Sequence, residues 1–197
     1  MVNMIFIARR RRLIWLVLPV LTFLISCNRR PAQPEPPRLN QSKPPAGAEK
    51  LTGRVVAIGD GDTITILDSA NTQHRIRLAG IDAPELSQTF GEQSKLSLSG
   101  LIFGKDVSVG YQKIDQYGRP VGKILLDGKD INLEQIKAGM AWHYKEYQRE
   151  QGSEDRDAYA MAEDEARIAR RGLWRDPNPV EPSEFRKEAK RERQGAR

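Results

Sequence analysis

Three short clusters hold the residues whose types and spacing could do chemistry. They are Asp60-Gly61-Asp62-Thr63, Arg77 followed by Asp82-Ala83-Pro84-Glu85, and Asp115-Gln116-Tyr117-Gly118-Arg119. Each falls at an expected turn or strand end, where functional groups tend to sit. Each alone also has a plain explanation. An Asp-Gly turn needs no function, and Arg77 alternates with Ile76 and Leu78 as a solvated strand arginine would. Asp82 and Glu85 could merely follow the strand end, and the third cluster reads as a polar hairpin turn. Together, two arginines, two aspartates and a glutamate are what metal-assisted cleavage of a phosphodiester requires. Guanidinium groups grip phosphate oxygens bidentately and stabilise the added charge of a pentacoordinate transition state. Paired carboxylates supply hard oxygen ligands for Ca²⁺ or Mg²⁺, and a further carboxylate can act as general base on water.

The elements that must position these groups lie in the middle of the chain. Leu51 to Ile58 and Thr63 to Leu67 are β-branched, alternating segments joined by Gly59-Asp60-Gly61-Asp62, a hairpin signal. A third strand is expected from His74 to Ile81, and two more from Val107 to Ile114 and Val121 to Leu126. Leu98, Leu101 and Ile102 recur at helical spacing between Phe90 and Phe103. A short helix is expected over Asn132–Ala138, and a longer one over Asp155–Arg171 with Gly172 as its C-cap. Five strands with an inserted helix indicate a β-rich α+β fold, a small closed barrel of the OB type flanked by helices. No internal repeat is visible.

Composition narrows the class. The chain has 197 residues, one cysteine and two histidines, which excludes an internal disulfide framework, a Cys-cluster zinc site and a multi-histidine metal site. The formal net charge of +6 sits at the ends. Residues 1–50 carry nine Lys/Arg against two acids, residues 177–197 six against four, and residues 51–176 only 17 against 20. Overall charge is therefore no argument for a nucleic-acid partner, and placed residues must carry that case.

With the three clusters in this order, the chain resembles the staphylococcal nuclease-like (thermonuclease) family over about residues 51–175. The resemblance rests on D-G-D-T, R-L-x-G-I-D-A-P-E and D-x-Y-G-R, with G-M-A-W-H-Y and the closing R-R-G-L-W. It implies a five-stranded OB-fold barrel with about three helices, and Ca²⁺-dependent hydrolysis of DNA and/or RNA. By the same resemblance Asp62 and Asp82 bind the metal through carboxylates and Ala83 through its backbone carbonyl. Arg77 and Arg119 hold the phosphate, and Glu85 is the general base. Tyr117 and Tyr144 match positions that pack against the nucleotide, although aromatic rings are also ordinary packing at a barrel lip. The family prototype has Thr in place of Ala83, a change that a backbone ligand survives. It has Lys in place of Gln116, which weakens contact with a terminal phosphate. His143, Trp142 and Trp174 read as structural residues, and His74 suggests no role.

The ends of the chain give its expected setting. Arg9-Arg10-Arg11-Arg12 precedes an apolar run from Leu13 to Ile25, 13 residues long and interrupted by Pro19. That is short for a bilayer of about 30 Å and has the parts of a secretory signal. Leu24-Ile25-Ser26-Cys27 resembles the bacterial lipobox, which implies lipidation of Cys27; the alternative is an uncleaved signal anchor with an incidental cysteine. Residues 1–27 are accordingly expected to be a lipoprotein-type signal, 28–48 a proline-rich tether, 49–176 the thermonuclease-like domain, and 177–197 a charged tail, disordered in preference to a fraying helix from Phe185 on. The expectation is a membrane-anchored, extracytoplasmic lipoprotein of the bacterial envelope, monomeric and with no evident protein partner. Two other classes compete: an OB-fold module that binds nucleic acid or protein without cutting it, and a purely structural envelope lipoprotein. Retention of Arg77, Asp82, Glu85 and Arg119 together favours the enzyme.

Overall fold

The alternating segments form a closed barrel in a computed structural model of the chain, which describes residues 49–195. The signal segment with Cys27 and the proline-rich stretch 28–48 lie outside the described residues. The barrel strands are β1 (Glu49–Ile58), β2 (Thr63–Leu67), β3 (Gln73–Leu78), β5 (Asp106–Ile114) and β6 (Pro120–Leu126). They run in the order β3-β2-β1-β5-β6. A parallel pairing of Arg77 with Val121 and Leu78 with Gly122 closes the ring between β3 and β6. Short strands β4 (Ile81–Asp82) and β8 (Trp142–His143) pair with each other, while β7 (Lys129–Asp130) extends β6. Among the described residues there are four α-helices: α1 (Gly91–Ile102), α2 (Ile131–Lys137), α3 (Ser153–Ile168) and α4 (Pro182–Gly195).

Strand alternation puts Ile64, Ile66, Ile76, Leu78, Val109 and Ile124 inside, where they join Leu98 and Ile102 of α1 in one buried core. Burying each such side chain contributes about 1.5–3 kcal/mol. Two amides in this interior fix the parts of the barrel that matter for the site. Asn132 donates from Nδ2 to the carbonyls of Ala79 (2.9 Å) and Gly122 (3.1 Å), and its Oδ1 accepts from the Ile124 N–H. It thereby satisfies backbone groups at the β3–β6 seam, beside Arg77. Gln135 donates from Nε2 to the carbonyls of Gly61 (3.0 Å) and Ser94 (3.1 Å), tying the β1–β2 turn to α1. The buried Asp130 accepts from the Leu133 N–H as the N-cap of α2.

Two expectations are corrected. Helix α3 stops at Ile168, three residues before the expected end, because Arg170 takes a left-handed conformation (φ 49°) and Gly172 begins a 3₁₀ turn. The C-terminal stretch expected to be disordered contains a 14-residue helix, α4. Pro182 starts it, a position where a missing N–H costs nothing. The segment leading into it is held by a hydrogen bond from Gln88 Nε2 to the Val180 carbonyl (2.6 Å), and Phe185 faces Pro84, Phe90, Trp142 and Leu173 across a cavity of about 210 Å³. Tertiary contacts, invisible to a composition argument, order it.

Candidate active site

The turn between β1 and β2, the end of β3 and the strand β4 bring Asp62, Arg77 and Asp82 together. Arg77 sits on the barrel face opposite Ile76 and Leu78, but it is not a solvated strand arginine: its side chain is only 15% exposed. Its Nη1 lies 2.8 Å from Asp62 Oδ2, and its Nη2 lies 3.0 Å from Asp82 Oδ1. The same Nη1 donates to the carbonyls of Leu78 and Ile81, which fixes the plane of the fork. Ala83 donates its N–H to Asp62 Oδ2 at 2.7 Å, and Thr63 donates its hydroxyl to Asp62 Oδ1.

Both aspartates are buried. Burial pushes the Asp62 carboxyl up to about 7 despite the opposing pull of Arg77, with neighbouring Asp60 and Asp82 adding to the rise. An ionised carboxylate is costly in such a place unless a cation accompanies it.

Glu85 lies three residues beyond Asp82 on the loop into α1. Its backbone is held by Gln88, which accepts the Glu85 N–H at its side-chain oxygen and donates its own N–H to the Glu85 carbonyl. Gly91 packs so tightly on this turn that a Cβ there would come within 1.9 Å of the Glu85 carbonyl oxygen. The Glu85 carboxylate itself remains partly exposed and accepts from Arg186 Nη1 at 2.9 Å.

Arg119 stands at the start of β6, two residues before the Val121 that pairs with Arg77. It is bound to Asp115 by Nε (2.8 Å) and Nη2 (2.7 Å), and its guanidinium lies 5.3 Å from the centre of the Tyr117 ring. Burial raises the Asp115 carboxyl, but the N–H and guanidinium of Arg119 outweigh it and hold the group below its ordinary value. Arg119 thus belongs to the neighbouring turn and makes no direct contact with the aspartate pair. Tyr117 is largely exposed. Tyr144 is close enough to Asp82 to feel its charge: burial, then Asp82 and Glu146, push its hydroxyl up to about 12. Trp142 and Trp174 pack edge to face at 4.4 Å under the Arg167 guanidinium, and buried His143 binds Gln151. All three side chains are buried.

Sequence reasoning missed Arg186. It comes from α4 and grips both oxygens of Asp82, at 3.2 Å from Nη1 to Oδ1 and 2.9 Å from Nη2 to Oδ2. Its only sequence signal is position on an amphipathic charged stretch, which does not identify a partner.

Among the described residues, no three His, Cys, Asp or Glu side chains form a metal cluster by themselves. The donor chemistry of Asp62 and Asp82 still fits a hard cation, since both groups offer carboxylate oxygen and both need a positive partner. Two carboxylates would leave the remaining positions to backbone carbonyl and water.

Buried carboxylates bridged by a guanidinium, beside the closing seam of an OB-type barrel, fit the chemistry of a phosphodiester-cleaving protein. Residues 75–176 match the family described as staphylococcal nuclease homologue. The chain is 44% identical over 142 residues to an uncharacterized endonuclease of Haemophilus influenzae, covering 72% of this chain and 76% of that protein. It is 41% identical over 133 residues to an uncharacterized endonuclease of Escherichia coli O157:H7, covering 67% and 82%. It is 39% identical over 155 residues to a micrococcal nuclease of Shigella flexneri, covering 74% and 86%. The chain belongs to the staphylococcal nuclease family and is a nuclease, a hydrolase whose substrate is nucleic acid.

Proposed function

We propose that the chain hydrolyses phosphodiester bonds of DNA and/or RNA with Ca²⁺ held by Asp62, Asp82 and the backbone carbonyl of Ala83. The observation that carries this reading is the convergence of Asp62 and Asp82 on Arg77, two buried carboxylates that offer hard oxygen ligands at one point beside a guanidinium. When bound, the cation supplies Lewis-acid stabilisation of the phosphate's developing charge. Arg77 and Arg119 bind phosphate oxygens, each offering a planar fork. Glu85 accepts the proton of the attacking water, the oxygen of that water bonds to phosphorus, and the bond from phosphorus to the leaving oxygen breaks. Tyr117 and Tyr144 offer aromatic faces against the nucleotide. Chelation is expected to abolish digestion of single- and double-stranded DNA and of RNA, and added Ca²⁺ to restore it. Full activity in chelator, or restoration by Zn²⁺ alone, would count against the calcium site.

The proposed setting is outside the cytoplasm on a lipid anchor at Cys27, acting as a monomer. Its support is the sequence pattern from Arg9 to Cys27 and the 21-residue proline-rich stretch after it. At about 3.1 Å per residue, a fully extended polyproline helix of that length would reach about 65 Å. Cells fed a fatty-acid analogue are expected to label the wild-type protein and not Cys27→Ala. Unlabelled wild-type protein that washes off membranes would remove the anchor and leave the nuclease reading intact.

A further inference from the structure

We propose that α4 is a built-in latch: Arg186 occupies the carboxylates of Asp82 and Glu85 and must leave before a divalent cation can bind there. The inference rests on the calcium reading above and adds a regulatory element to it. Geometry, placement and attachment converge on it.

The first is geometry. Arg186 makes two hydrogen bonds to Asp82 and one to Glu85, all between 2.9 and 3.2 Å. Arg77 already takes Asp82 Oδ1 at 3.0 Å. Both oxygens of Asp82 are therefore covered by guanidinium nitrogen. A cation needs one of those oxygens at about 2.3–2.6 Å, and the positive guanidinium of Arg186 on both of them opposes its approach. The Glu85 carboxylate is engaged by the same side chain, so one residue holds both Asp82, one of the assigned metal ligands, and the assigned base.

The second is placement. Arg186 is 104 residues from Asp82 in sequence and lies beyond the family-matched segment, which ends at residue 176. The barrel and α1–α3 do not need it: neither the buried core nor the Trp142–Trp174 cluster includes a residue of α4.

The third is the weakness of the remaining attachment. Within α4 only Pro182 is buried. The half-buried Phe185 and the hydrogen bond from Gln88 to Val180 fasten its first turn. From Lys187 onward the helix is mostly exposed. An element held by so few apolar contacts opens at low free-energy cost. The ion pairs with Asp82 and Glu85 add to these contacts, and they are interactions a divalent cation replaces.

Competition of this kind lowers the apparent affinity for the cation by the fraction of molecules that are open. A tenfold tightening on removal of the latch corresponds to a closed state in about nine molecules of ten. The test is calorimetric titration of the full chain with CaCl₂ alone. Arg186→Ala and Arg186→Gln are both expected to bind Ca²⁺ about tenfold more tightly than wild type. Arg191→Ala, which removes the same charge from an exposed position on the same helix, is expected to bind as wild type does. In parallel, hydrogen exchange of backbone amides in residues 186–193 of wild type should quicken when Ca²⁺ is added. Equal affinity in wild type and both Arg186 variants overturns the latch while leaving the calcium reading in place. So does weaker binding by folded Arg186 variants, which would make Arg186 a support for Asp82. Absence of Ca²⁺ binding in every variant overturns the calcium reading and the latch with it.

Discussion

Replacing Arg77 with lysine is expected to lower kcat/KM by two to three decades while leaving the far-ultraviolet circular dichroism unchanged. The size follows from what a lost transition-state donor costs in a preorganised site, about 10²–10³ in rate. The cause lies in the shape of the guanidinium. Arg77 spans Asp62 Oδ2, Asp82 Oδ1 and the carbonyls of Leu78 and Ile81 from two nitrogens of one plane. An ammonium keeps the charge but is a single point with three donors and cannot bridge both carboxylates while addressing a phosphate. The fold should survive because lysine still accompanies the buried carboxylates. Arg77→Met, by contrast, would leave Asp62 and Asp82 without that positive partner, a change that costs about 3–5 kcal/mol for a broken buried pair. The lysine variant therefore separates catalysis from stability. Kinetics within threefold of wild type would remove Arg77 from the phosphate site and leave it as the clip that joins β3 to the aspartates.

That experiment also marks where local sequence stops being informative. Alternation along Thr63–Leu67 and around Ile76 and Leu78 was enough to place strands and core, because a strand has only two faces and apolar residues choose the buried one. The same rule misplaced Arg77. It correctly put the side chain opposite Ile76 and Leu78, but that side of the strand is covered at its end by the Asp62 turn and by β4, and the side chain is buried there. Neighbours 15 residues earlier and five later decide its environment. The motif resemblance grouped Arg77 with Asp62 and Asp82 in one site but gave it to the phosphate; its ion pairs with both aspartates were legible in neither the motif nor the periodicity. Arg119 shows the reverse case. Its partner Asp115 is local, at i−4 across a tight turn, so the cluster was readable as a unit, yet only the β3–β6 seam brings it toward Arg77. Strands of two residues, such as Ile81–Asp82 and Trp142–His143, have no periodicity to read. Arg186 was beyond reach for a stronger reason: a charged segment with one large apolar residue lacks the apolar area to fold by itself, and its order comes from a surface assembled elsewhere in the chain.

Glu85→Gln is expected to lower kcat by at least two decades, about the scale of a lost general base, with KM changed far less. The substitution keeps the side chain's length and planarity and removes its negative charge and its capacity to take the proton of the attacking water. Backbone displacement is not an available explanation, since the Glu85 turn is pinned by two hydrogen bonds to Gln88 and by the close approach of Gly91. Loss of metal is separable by titration: Glu85 is a partner of Arg186, so glutamine weakens the grip of α4 and should leave Ca²⁺ binding as tight as in wild type or tighter. Slow turnover together with undiminished Ca²⁺ binding therefore assigns the defect to proton transfer. The opposite pattern would move the base elsewhere. If Glu85→Gln turns over at near wild-type rate while Asp82→Asn is inactive, the carboxylate at 85 does no more than receive Arg186, and the water must lose its proton to another group beside the aspartate pair.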